Sequence, residues 1–86
     1  MIPLVFFCLM DDREKQEWLN KLASRMKQLR IAKGYSSYEP FAYEHDLPRA
    51  QYGRYERGEN ITYINLIKVI KALGVTPEQF FSEGFD

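Results

Sequence analysis

The chain has 86 residues, 45% of them apolar, and its 12 basic and 12 acidic side chains give a formal net charge of zero. That length holds one small core, and a single cysteine, Cys8, excludes an internal disulfide and any cysteine-based metal site. A neutral total argues against nucleic-acid binding through bulk charge alone, so the placement of charge matters more than its sum.

The first ten residues, MIPLVFFCLM, form an apolar run of about half the length a membrane helix needs. They lack the basic start and small-residue cleavage site of a secretory leader. Met10 then opens a polar, helix-like stretch, MDDREKQEW. The favoured expectation is that Met10 is the natural start; the next is an apolar tag that packs on a partner or on the domain surface; membrane attachment comes last.

Residues 11–33 read as one helix. Asp11 or Asp12 can cap it, and early acids suit the positive end of a helix dipole. Trp18, Leu19, Leu22, Met26 and Leu29 fall at three- and four-residue spacings, which predicts one apolar stripe. Lys21, Arg25, Lys27, Arg30 and Lys33 lie mostly off that stripe, with no acid between them. Together with Arg49, Arg54 and Arg57 they predict a basic face. The acids gather instead at 11–17, 39–46 and 78–86. Gly34 ends the helix in a left-handed conformation.

Ser36 or Ser37 opens a second helix. Ser36 with Glu39 has capping-box spacing, whereas Ser37 as cap places Pro40 more comfortably in the first turn. Phe41 and Ala42 face inward, and the helix ends near residues 45–46. Leu47 is an apolar plug in the turn, and Pro48 stands where the third helix begins. Over 49–57, Tyr52 and Tyr55 point to the core and leave Arg49, Ala50, Gln51, Gly53 and Arg54 outside. Gly58 stops this helix. Thr62 caps a fourth, with Tyr63, Leu66, Ile67, Ile70 and Leu73 at helical spacing and Gly74 after it. Thr76-Pro77-Glu78-Gln79 starts a short fifth helix carrying Phe80 and Phe81, and the tail holds Phe85. Nothing alternates as a strand.

Tyr52, Tyr55, Tyr63, Phe80 and Phe81 occupy inward positions and so predict core rather than stacking platforms for single strands. Tyr35, Tyr38 and Tyr43 are left for the surface or a partner. His45 is the only histidine, no serine or cysteine has a histidine and an acid arranged around it, and no glycine-rich phosphate loop follows a strand. No catalytic residue, cofactor or metal is expected.

Taken in order, LRIAKG, FA, HDLPRAQYGRYERG and LIKVIKALGVTPEQFF resemble the helix-turn-helix domain of the phage Cro and cI-type repressors, the XRE family, across residues 22–81. The resemblance implies an all-α, compact five-helix lambda-repressor-like DNA-binding domain over residues 11–86, after an apolar extension at 1–10. Two features depart from the family pattern. The segment between Gly34 and Phe41 is one residue longer than usual, and Asp46 stands where glycine is common, although aspartate tolerates a left-handed backbone.

By position, the resemblance implies that Arg49, Ala50, Gln51, Gly53 and Arg54 read bases. Arginine pairs with a guanine edge, glutamine with adenine, and alanine touches a thymine methyl; Gly53, without a side chain, admits close backbone approach. Ser36, Ser37, Tyr38, Arg57 and Asn60 are implied at phosphates, with Lys27 and Lys33 adding long-range attraction. Arg30 is implied to pair with Glu56, partly buried, and also to face a phosphate. The expected function is sequence-specific binding of double-stranded DNA by a small cytoplasmic, nucleoid-associated transcriptional regulator, a repressor that occludes a promoter. A homodimer on two half-sites is the expected assembly, with the fifth helix and Phe85 as candidate dimer surface, the alternative being that Phe85 folds back onto the core. The alternative is a protein-interaction module of antitoxin type, in which DNA binding is secondary; the apolar start, exposed tyrosines and neutral charge suit it.

Overall fold

The computed structural model describes residues 10–86; the apolar run at 1–9, with the expectations attached to it and to Cys8, lies outside the described residues. Those described form five helices and no strand: α1 (Asp12–Ala32), α2 (Tyr38–Glu44), α3 (Arg49–Glu56), α4 (Tyr63–Leu73) and α5 (Pro77–Phe80). None is long and apolar enough to cross a membrane.

Local chemistry sets most of the ends. The Asp11 carboxylate accepts from the Glu14 N–H at 2.8 Å and caps α1. Gly34, at φ 106°, turns the chain out of that helix, and the Tyr35 N–H returns to the Arg30 carbonyl at 3.1 Å. The Thr62 hydroxyl accepts from the Asn65 N–H to begin α4. Thr76 and Gln79 form a reciprocal capping box at α5, with bonds of 2.9 and 3.1 Å.

The core joins Met26 of α1, Phe41 and Ala42 of α2, Tyr52 and Tyr55 of α3, Leu66, Val69, Ile70 and Leu73 of α4, and Phe80 of α5. Leu22, Leu29, Leu47 and Ile67 pack around it. Three aromatics expected inside lie elsewhere. Trp18 is 42% exposed, with the Lys21 ammonium 4.3 Å over its ring. At 21 residues, α1 is about 31 Å long, and its first turns overhang the shorter helices, leaving residues 11–18 exposed. Tyr63 is 70% exposed because the first turn of α4 is uncovered; Val69, not singled out by the spacing, is 1% exposed and completes the inward face. Phe81 is 45% exposed, and Phe85 folds back against Phe80 and Phe81, with ring centroids 6.0 and 4.9 Å away.

The expected basic face of α1 is also reduced, because Arg25 and Arg30 are buried. Arg25 docks α5: its Nε donates to the Phe80 carbonyl at 2.7 Å and its Nη2 to the Gln79 carbonyl at 2.8 Å. Carbonyls at a helix end lack partners within the helix, and this guanidinium supplies them from α1.

Candidate nucleic-acid interface

The site is α2, a tight turn and α3. Ser37 is the N-cap of α2 in an extended conformation, its side chain making no capping bond. The Ser36–Glu39 box is not formed, and Pro40 sits in the third position of the helix, where its missing N–H leaves no bond unmade. In the turn, the His45 N–H bonds to the Phe41 carbonyl and the Leu47 N–H to the Ala42 carbonyl at 2.8 Å. Asp46 adopts φ 58°, the left-handed conformation in which glycine is common. Pro48, at ψ 118°, is the N-cap of α3 and lies one residue outside the helix it was expected to begin.

The angle between α1 and α3 is fixed by an ion pair. Arg30 Nε donates to Glu56 Oε2 at 2.8 Å and Nη2 to Oε1 at 3.0 Å, and both side chains are 5% exposed. Arg30 Nη1 also donates to the Tyr35 carbonyl at 2.8 Å. The guanidinium therefore ties the end of α1, the entry to α2 and the end of α3 together. Buried and committed in this way, Arg30 is not presented to a phosphate, which corrects the second role expected of it.

Gly53 also departs from expectation. It is buried, and a β-carbon there would lie 2.8 Å from the Tyr38 ring. Any larger side chain here would have to displace the Tyr38 ring, which fills the space over α3 from the start of α2. Gly53 therefore joins the two helices of the motif and does not line the outer face.

The Tyr52 hydroxyl is buried beside Glu56 and Arg30 without a hydrogen bond of good geometry. Burial first, then the Glu56 carboxylate, raises its pKa above the ordinary tyrosine value. A raised folded-state pKa contributes stability that is complete below the unfolded value, about 10, and is lost as pH rises above it. Because the buried hydroxyl has no partner, Tyr52→Phe should be neutral, or stabilising by about 1 kcal/mol, at pH 7. By pH 11 the wild type should have lost about 1.4 kcal/mol relative to the variant. Urea unfolding at the two pH values checks this; parallel pH profiles for the two proteins would refute it.

Arg49, Ala50 and Arg54 are exposed on the outer face of α3, and Gln51 is partly exposed beside them. Arg54 Nε lies 3.7 Å from the Glu59 carboxylate, and both side chains are about half exposed, so solvent leaves that pair little strength. The Gln51 amide is not free: its Nε2 donates to the Tyr55 hydroxyl, which also accepts from Asn65 Nδ2 at 3.2 Å. Sequence reasoning placed Tyr55 in the core and passed over Asn65. The i to i+4 spacing of Gln51 and Tyr55 was the available signal. Ser36, Ser37, Arg57 and Asn60 are exposed, and Tyr38 is partly so. The Asn60 side-chain oxygen, Oδ1, accepts from the Ile61 N–H.

Comparison with known proteins agrees with this geometry. The helix-turn-helix family pattern matches residues 26–80. The control protein C.MunI of Mycoplasma sp is 36% identical over 64 residues, covering 73% of this chain and 86% of that protein. The control protein C.BamHI of Bacillus amyloliquefaciens is 40% identical over 55 residues, 63% of this chain and 68% of that protein. No solved structure gives a significant match. With its five helices, its turn and its outward arginines accounted for, the chain belongs to the helix-turn-helix family of Cro and cI type, and is a DNA-binding transcriptional regulator.

Proposed function

We propose that this regulator reads a palindromic operator as a homodimer and represses by occluding a promoter. Arg49, Ala50, Gln51 and Arg54 face base edges in the major groove. Ser36, Ser37, Tyr38, Arg57 and Asn60 hold phosphates on either side and fix the register. The observation that carries the proposal is the outward display of Arg49, Ala50 and Arg54 on a helix pinned beneath by Tyr52, Tyr55 and Glu56. Such a helix presents its side chains without first ordering its backbone, which favours tight and selective contact.

The dimer takes support from apolar side chains that α4 and α5 leave uncovered: Tyr63 at 70%, Ile64 at 63% and Phe81 at 45% exposure. Of the two places expected for Phe85, it takes the second and packs against its own core. The family match and the two control-protein relatives favour DNA binding over the protein-interaction reading. We place the regulator in the cytoplasm, on the nucleoid.

Selection of bound duplexes from a random pool tests the proposal. The expected result is an inverted repeat with half-sites about one helical turn, or a multiple of it, apart, bound at twice the monomer mass in light scattering. An enriched site without two-fold symmetry, bound by a monomer, would sink the dimeric reading.

A further inference from the structure

Tyr55 is 8% exposed, and its ring belongs to the core. Its hydroxyl lies between α3 and α4, where it receives the Gln51 and Asn65 amides. A phenolic hydroxyl accepts as well as donates, and both amides converge on its oxygen. Asn65 is itself held in the first turn of α4, where its N–H bonds to the Thr62 cap. A chain of hydrogen bonds therefore runs from the start of α4, through the Tyr55 hydroxyl, to a side chain of the recognition helix.

A cavity of about 140 Å³, lined by Leu47, Gln51, Tyr55, Asn65, Lys68 and Val69 among others, opens beside this chain. An untethered glutamine has several rotatable bonds and little to stop it entering that space. The tether uses one Nε2 hydrogen. It leaves the other hydrogen and Oε1 free, a donor and an acceptor on one amide edge. That pair complements the N7 acceptor and N6 donor of adenine in the major groove.

We propose that Tyr55, braced by Asn65, is a specificity-determining positioning residue: it touches no base, and sets the preference of Gln51 for adenine at one operator position. The inference rests on the base-reading role proposed above for Gln51. It predicts a base preference that depends on a hydroxyl belonging to a core side chain.

The test is selection from a random duplex pool with wild type, Gln51→Ala, Tyr55→Phe, Asn65→Ala and the Gln51→Ala/Tyr55→Phe double variant. Relative affinities are then measured on the four single-base variants of the affected position. Gln51→Ala should flatten one position per half-site, and Tyr55→Phe should flatten that same position by roughly fivefold, the weight of one hydrogen bond. Asn65→Ala should do so more weakly. Tyr55→Phe should add nothing in the Gln51→Ala background, and preferences at all other positions should stay as in wild type. A general loss of structure would weaken every position, so retention of the others separates positioning from stability.

If Gln51→Ala flattens a position and Tyr55→Phe leaves it intact, the positioning role is overturned and the base-reading role stands. If Gln51→Ala flattens nothing, both are overturned. Should Tyr55→Phe fold poorly, Asn65→Ala carries the same comparison from the other end of the chain of bonds.

Discussion

Glu56→Ala should destabilise the domain by roughly 3–5 kcal/mol, the range for stranding one partner of a buried ion pair. The Glu56 carboxylate is the only charged partner the structure gives the Arg30 guanidinium among the described residues. Without it, a cation only 4% exposed keeps one bond, to the Tyr35 carbonyl. A domain of this size has a total stability of about 4–12 kcal/mol, so the variant should be largely unfolded in moderate urea or at slightly raised temperature. Replacing both partners together, Arg30→Met with Glu56→Leu, should cost far less, because no charge is then buried alone. Urea denaturation of the single variants and the double variant gives the coupling. A Glu56→Ala protein within about 1 kcal/mol of wild type would show that the pair does not set the α1–α3 angle in the way its geometry implies.

Arg49→Ala combined with Arg54→Ala should abolish most sequence preference while leaving the fold intact. Each good arginine–guanine contact contributes about 1–3 kcal/mol of discrimination, so two independent contacts give roughly 2–6 kcal/mol. Neither side chain is buried, and the 3.7 Å approach of Arg54 to Glu59 is exposed. The melting temperature should accordingly stay close to wild type. Lys27→Ala with Lys33→Ala is the contrasting pair: those lysines should lower affinity uniformly and reduce the salt dependence without relaxing base preference. Competition binding against the selected site and its single-base variants distinguishes the two patterns. Retention of the full base preference by the arginine double variant would remove α3 as the reading element.

The helix ends were legible because caps are local chemistry. Asp11, Thr62 and the Thr76–Gln79 box each act within three residues of themselves, and Asp46 bends the turn with its own backbone. The misplaced aromatics share a different cause. Helical spacing finds the face of a helix but not where along that face the neighbouring elements stop, so Trp18 and Tyr63 lie on uncovered turns. Arg25 looked like any surface cation because its carbonyl partners are 54 and 55 residues away.

The candidate site was legible through resemblance more than through physics. Positions 49, 50, 51 and 54 follow from the order of the motif, but the tethering of Gln51 depends on where Asn65 of α4 comes to lie. Gly53 misled for a related reason. Its cost in helix propensity is visible in the chain, whereas the ring that occupies its missing side chain belongs to Tyr38, on another helix.

The separation between what holds α3 and what α3 displays bears on how such regulators diverge. Arg49 and Ala50 are exposed, and among the described residues the Arg54 side chain pairs only with exposed Glu59. If they read bases as proposed, a lineage can rewrite these positions one at a time, acquiring a new operator without passing through an unfolded ancestor. Gln51 obeys a different rule. Its amide is bonded to the Tyr55 hydroxyl, which also holds Asn65, so a change of residue there takes away one of that hydroxyl's two partners unless the neighbouring positions change with it. Related chains should therefore drift freely at 49, 50 and 54, and move in concert at 51, 55 and 65.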